Sequence, residues 1–306
     1  MKITHGEIER MHGGIERTDG GIERTDGGIE RVPRGIERTD GGIERVPRGI
    51  ERTGKEGRGS DGGGGGTLFL VATPIGNLGD LSPRALETLR TVPVVAAEDT
   101  RRTWQLLSHF GVPRPPRMVS YREGAEERAG AQILECLRAG QDVALCTDAG
   151  YPGISDPGFR LVRDAVAEGL PVTALPGPSA ADVALVLSGL PTSSWTFLGF
   201  PPRKPGALRR FFEDEARSAH TLVLYESPFR VGKTLAAAAE VLGARPAAVC
   251  LELTKMHERI ERGTLPDLAA RFSSGPARGE IAIVIGGLPR AARRDADDPS
   301  DLPDGG

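Results

Sequence analysis

Between residues 67 and 290 the apolar positions fall into two alternating patterns. Short, nearly uninterrupted runs of Val, Leu, Ile and Ala predict buried strands: "TLFLVA" (67–72), "VPVVAAE" (92–98), "DVALCTDAG" (142–150) and "PVTALPGPSA" (171–180). Between them, apolar residues recur at helical spacing. "LSPRALETLR" carries Ser82 at the N-cap and Pro83 at the first helical position. "DTRRTWQLLSHFG" sets Trp104, Leu107 and Phe110 on one face and stops at Gly111. "SDPGFRLVRDAVAEG" predicts a helix from Pro157 to Gly169, and "SAADVALVLSG" a helix of small residues. After "LPTSS" the alternation restarts with "WTFLGF" (195–200), the helix of "RKPGALRRFFEDEAR", "TLVLYESP" (221–228), "AAVCLELT" (247–254), a polar "HERIERG" segment and "EIAIVIGG" (280–287). Strand and helix alternating twice over predict two α/β domains with largely buried sheets, residues 67–190 and 191–290.

The flanks break this pattern. "GIER" begins at residues 14, 21, 28, 35, 42 and 49, a period of seven with a single recurring apolar residue per repeat. A coiled coil needs two, and the Gly pairs and "VPR" inserts break helices. Residues 1–66 are therefore expected to be a disordered low-complexity tail, ending in the flexible "SDGGGGG" (60–66). It reads as a tandem repeat in the coding DNA or a start assigned too far upstream. The acidic, Pro/Gly-rich residues 291–306 are expected to be disordered as well.

Charge and cysteine content narrow the function. The formal net charge is −3, but the tails carry the excess acid and leave residues 67–290 close to neutral. That excludes a strongly basic nucleic-acid coat and leaves room for a local patch. The three Cys (136, 146, 250) form no C-x-x-C, and Cys146 and Cys250 sit inside apolar runs, as in a reducing compartment. The five His pair with no Cys or carboxylate at ligand spacing, so no metal is expected. No apolar run approaches the roughly 18 residues of a membrane span, and no signal core opens the chain. A cytoplasmic protein is expected.

The strand ends hold the candidate chemistry. "TPIGNLGDLS" has Gly76 and Gly79 without the spacing of a nucleotide-phosphate loop, and it lacks the Lys. Pro74 removes an N–H donor, and Asp80 would repel a phosphate. Such a turn suits a flat, weakly charged ligand edge. "TPIGN", "EDTRR", "TDAGYPG" and "PGPSA" are all rich in Gly, Pro or small side chains, and in an open α/β sheet strand ends gather round one cleft.

"TPIGNLGDLSPRAL", "AAEDTRRT", "TDAGYPGISDPG", "LPGPSA", "GF", "YESPFR", "ELTK" and "GEIAIVI" stand in the order and at about the spacing of a known family. Over residues 67–288 the chain resembles the ribosomal RNA small subunit methyltransferase I family. That family is a branch of the tetrapyrrole methylase superfamily of S-adenosylmethionine-dependent enzymes. The resemblance implies two α/β domains with the cofactor cleft between them, usually in a homodimer. It implies methyl transfer to the ribose 2′-OH of a decoding-centre cytidine in 16S rRNA, in the small ribosomal subunit. A porphyrinogen methylase would carry a G-x-G-x-G-type turn where "TPIGN" stands. Other readings remain: a small-molecule methylase on the same fold, or a non-enzymatic module using the repeat tail as an arm. The chain departs from the family at Tyr151, where Thr is frequent, at Leu251, where Arg precedes "ELTK", and at "SYREGAEERA" (120–129), where a His/Asn/Glu cluster is common.

By the match, Asp148, Ala149, Gly150 and Tyr151 contact the cofactor, as do Ser179, Ala180, Pro74 and Gly76. Tyr225 and Glu226 would close the slot from the second domain. Each also has an ordinary role as a turn, cap or ion-pair residue. Glu98, Asp99 and Arg101 share a strand end and are candidates to orient the ribose or take its proton; Lys255 is another. The same groups also make a helix-cap ion cluster or a solvated surface. The pairs Arg101/Arg102, Arg203/Lys204 and Arg209/Arg210 are candidates for an RNA patch.

Overall fold

The computed structural model describes residues 64–288 except Pro276. The "GIER" repeats and the acidic C-terminal stretch lie outside the described residues. The first half builds a five-stranded sheet in the order β3-β2-β4-β1-β5 from β1 (Leu68–Val71), β2 (Val94–Ala97), β3 (Arg117–Ser120), β4 (Val143–Cys146) and β5 (Val172–Leu175). Every pairing is parallel. Helices cover both faces. One layer joins Ile133 and Leu137 of α3 (Glu126–Arg138) and Leu161 of α4 (Phe159–Ala167) to Leu68, Val143 and Leu145. The other joins Leu89 of α1 (Pro83–Thr91) and Leu107 of α2 (Thr100–His109) to Val71, Val95 and Ala144. A fully buried Leu or Val contributes about 1.5–3 kcal/mol, which explains why the central strands are apolar on both faces.

Local signals hold where a side chain enforces them. Ser82 caps α1 by accepting from the Ala85 N–H at 3.2 Å, with Pro83 at the first position. Asp99 caps α2. Two boundaries move. The strand expected over 142–150 is β4 and ends at Cys146, because Thr147–Gly150 leaves the sheet to form a wall of the cleft described below. The helix expected from Pro157 starts at Phe159, because Gly158 folds back on Gly153; a Cβ at Gly158 would lie 2.7 Å from the Gly153 nitrogen.

The second sheet runs β6-β7-β10-β8-β9, from β6 (Trp195–Gly199), β7 (Thr221–Glu226), β8 (Pro246–Leu251), β9 (Arg259–Thr264) and β10 (Ile281–Ile285). Only β6 and β7 pair in parallel; β10 pairs antiparallel with β7 and β8, and β8 with β9. The polar "HERIERG" segment supplies β9, returning along β8 after a short loop too brief for a parallel crossover. One face is covered by α6 (Pro205–Glu213), α7 (Val231–Leu242) and α8 (Leu265–Arg271). The other receives α5 (Ala180–Ser188), whose Ala181, Ala184 and Leu185 pack on Val223, Cys250, Ala282 and Val284. The small-residue helix that leaves the first sheet is thus seated on the second.

Gly232 sets how closely α7 approaches the end of α8: an added Cβ would stand 2.3 Å from the Phe272 carbonyl oxygen. Gly232→Ala gains helix propensity of about 1 kcal/mol but must push a buried backbone aside, an overpacking cost of about 1–3 kcal/mol. A net loss of stability is expected, read as a lower denaturant midpoint at unchanged slope. A midpoint equal to the parent's would mean that α8 yields freely.

Candidate functional site

Because the first sheet is wholly parallel, its four Gly/Pro/small-residue exits stand at one edge. Two of them are stapled together. Thr73 N–H donates to the Gly150 carbonyl (2.9 Å) and Gly150 N–H returns to the Thr73 carbonyl (3.0 Å). The Thr73 hydroxyl adds a bond to the Thr147 carbonyl at 3.0 Å. Against this edge the second sheet brings the ends of β7 and β8 and the start of β10. A cavity of about 390 Å³ lies between them, inside the roughly 300–1,000 Å³ range of small-molecule sites.

Seven of the ten residues expected to contact a cofactor line this cavity: Ala149, Gly150, Tyr151, Ser179, Ala180, Tyr225 and Glu226. Their surroundings are specific. Tyr151 accepts at its hydroxyl from the Gly177 N–H (3.0 Å), tying the third exit to the fourth. Ser179 caps α5 by accepting from the Asp182 N–H, and the helix starts at the cavity with Ala180. Tyr225 stands between Phe197 and Phe200, with ring centroids at 4.8 and 5.6 Å, and burial pushes its phenol up to about 12. Glu226 is fully buried yet satisfied within its own half: it accepts from Ser227 N–H (2.7 Å) and the Thr234 hydroxyl and pairs with Arg230.

Pro74, Gly76 and Asp148 do not line the cavity. Gly76 faces the loop after β8; a Cβ there would meet Lys255 Cγ at 2.5 Å, Thr254 Oγ1 at 2.8 Å and the Leu253 carbonyl at 3.0 Å. Asp148 pairs through Oδ2 with Arg102 (2.8 Å), and its Oδ1 is buried with no hydrogen-bond partner among the described residues.

Glu98, Asp99, Arg101 and Lys255 do not line the cavity. Asp99 accepts from the side chain and the backbone N–H of Arg101, which hold its carboxyl at about 2, so it is a weak proton acceptor. Burial lowers the Lys255 pKa, but Glu252 (2.8 Å) and Glu280 (3.2 Å) outweigh it and keep the ammonium charged. Glu98 accepts from the Asp148 N–H at 3.3 Å.

Sequence reasoning passed over Asp156. It stands in the quoted "ISDPG", lines the cavity, and is half-buried beside two other carboxylates. Burial, with the charges of Glu98 and Asp148, pushes it up to about 7. This is a carboxyl that gains and loses a proton near neutral pH, the state suited to general acid–base chemistry. Also unforeseen were Ile154, Phe200, Leu253 and the Gly279–Ala282 edge. Backbone strain gathers here too: among the described residues, the non-glycine residues with positive φ are Ser155 (62°), Glu252 (51°) and Thr254 (65°), on two of the cleft's loops.

The chain matches the family model of tetrapyrrole (corrin/porphyrin) methylases over residues 67–269. A protein of Xylella fastidiosa named ribosomal RNA small subunit methyltransferase I is 47% identical over 234 residues, covering 76% of this chain and 84% of that one. Its namesake from Halalkalibacterium halodurans is 44% identical over 222 residues, 72% of this chain and 76% of that one. Among solved structures, a uroporphyrin-III C-methyltransferase from Thermus thermophilus, complexed with S-adenosylhomocysteine, has a TM-score of 0.50 at 22% identity. It covers 75% of this chain and all of that one.

Proposed function

The chain belongs to the ribosomal RNA small subunit methyltransferase I family, within the tetrapyrrole methylases, and is a methyltransferase; from this premise we propose the reaction its cleft performs. S-adenosylmethionine is the methyl donor, and the acceptor is the ribose 2′-hydroxyl of a decoding-centre cytidine in 16S rRNA, presented by the small ribosomal subunit. The enzyme works in the cytoplasm as a homodimer. Among the described residues no helix is long and apolar enough to cross a membrane.

The lining suits this donor. Ala149, Gly150, Ala180 and Ala282 keep side chains short, so a flat ligand reaches backbone groups. Tyr225 offers an aromatic face, and Ala180, the first residue of α5, brings the positive end of that helix to the lining, where it favours a carboxylate. Asp148 holds an unpartnered buried oxygen one residue from this wall, and Gly76 packs closely against the loop after β8. When bound, the donor supplies a methyl already activated by a sulfonium, so the protein's task is alignment and proton removal.

The observation that carries the acceptor chemistry is Asp156. A ribose hydroxyl is a poor nucleophile and needs a proton acceptor that is unprotonated at neutral pH yet basic enough to help. Asp156 faces the cavity and titrates at about 7. Glu98 raises that value from behind. Arg101, exposed at 87% of its side chain and oriented by Asp99, is the group assigned to a phosphate of the RNA. Lys255 braces the opposite loop through Glu252 and Glu280.

Tritium from labelled S-adenosylmethionine is expected to enter small subunits that lack the modification, at a single ribose. Transfer to a porphyrinogen and none to small subunits would establish the small-molecule reading instead.

A further inference from the structure

A second cavity of about 430 Å³ opens beside the first and shares three of its walls, Phe200, Glu226 and Ser227. Two aromatic rings project into it while facing solvent: Phe200 is 60% exposed and Phe229 77%. An exposed Phe has no role in a core, and two at one opening form an apolar platform. The basic residues around them divide into two sets. Arg230 is consumed by the wall: it donates to the Pro201 and Pro202 carbonyls (2.7 Å to the latter) and pairs with Glu226 at 3.5 Å. Arg203, which lines the cavity, and its neighbour Lys204 are exposed and make no ion pair among the described residues.

Aromatic faces flanked by uncommitted cations are how proteins hold splayed single-stranded RNA, because every base has a face to stack and every linkage a charge to neutralise. We propose that this second cavity is an RNA subsite. Phe229 and Phe200 stack a nucleobase of the strand adjoining the methylated nucleotide, while Arg203 and Lys204 take the phosphates beside it. This rests on the reading of the acceptor as rRNA. Continuity with the first cavity supplies the geometry: a strand whose ribose enters beside Asp156 has its next nucleotide at the shared wall. Arg230 acts as a positioning residue, holding the Phe200–Pro202 turn against β7.

The test uses the full chain and unmodified small subunits. Phe229→Ala is expected to raise the KM for small subunits about 5- to 150-fold, the loss of one stacked base. The affinity for S-adenosylmethionine, read by calorimetry, is expected to stay at the parent's value. Phe229→Trp is expected to restore KM, which a merely structural role would not predict. Arg203→Ala is expected to reduce the slope of log affinity against log salt by roughly 0.7, the single-strand value for one phosphate. A parent that methylates small subunits while Phe229→Ala and Arg203→Ala keep its KM and salt slope would overturn the subsite and leave the activity standing. A parent that transfers no methyl to small subunits would remove the rRNA reading, and the subsite with it.

Discussion

Asp156→Asn slows methyl transfer by about 10²- to 10⁴-fold, the usual contribution of a positioned proton acceptor. Two further readouts separate this from damage to the fold. In the parent the rate climbs with pH until Asp156 has lost its proton, at about 7, and then levels. In the variant that acid limb is absent. Stability moves the opposite way. The folded-state pKa is raised above the ordinary 3.8, so the folded protein holds this proton more tightly than the unfolded chain. Its stabilising contribution is complete below about 4 and is lost as pH rises through about 7. Asn carries no charge to bury, so the variant is more stable than the parent above neutrality, and this advantage fades in acid. A slow enzyme that is also less stable at pH 8 would show that Asp156 is a packing residue.

The second large effect is expected at Gly76. The turn after β1 and the loop after β8 meet so closely here that an added methyl lies 2.8 Å from Thr254 Oγ1 and 3.0 Å from the Leu253 carbonyl. The Lys255 side chain can swing aside; the Leu253 backbone cannot. Gly76→Ala therefore opens the seam between the two sheets, where Ile75 and Leu253 line the cavity. A displacement near 1 Å costs on the order of 10²-fold in rate, because donor and acceptor are then misaligned, and the few tenths of an ångström that the Leu253 carbonyl must yield is expected to cost up to about 10-fold. Cofactor affinity falls with it. Unchanged rate and affinity in the variant would mean that the seam is compliant and that the two walls are not held in register by this contact.

The sequence carried the central strands and the exit turns openly, for a physical reason. A strand buried on both faces must be apolar throughout, as in "VVAA" and "IAIVI". Edge strands are under no such demand. β3 ("RMVS") and β9 ("RIERGT") bury little and print no period, so their strand character comes from neighbours already in place. The mixed pairing of the second sheet was hidden likewise, since it depends on which loop is too short to cross. At the site, the residues named from the sequence that line the cavity are Ala149, Gly150, Tyr151, Ser179, Ala180, Tyr225 and Glu226, all of them in the quoted strand-end motifs. Asp156 was quoted within a motif and still passed over. Its protonation depends on Glu98 and Asp148, carboxylates that only the finished fold assembles. Phe200 and Phe229 stand inside the quoted "GF" and "YESPFR" with no role given to them, and only their exposure sets them apart.

Glu252 and Thr254 hold left-handed backbone that suits glycine far better. Each such residue costs about 1–3 kcal/mol, sustained by the surrounding packing. That cost works as a loaded spring beneath the cleft. Glycine at Thr254 would release it, and a screen for heat-resistant variants would favour the change. The same change would empty the space beside Gly76 that the Thr254 side chain fills, so catalysts selected for endurance alone would drift toward idleness at this loop.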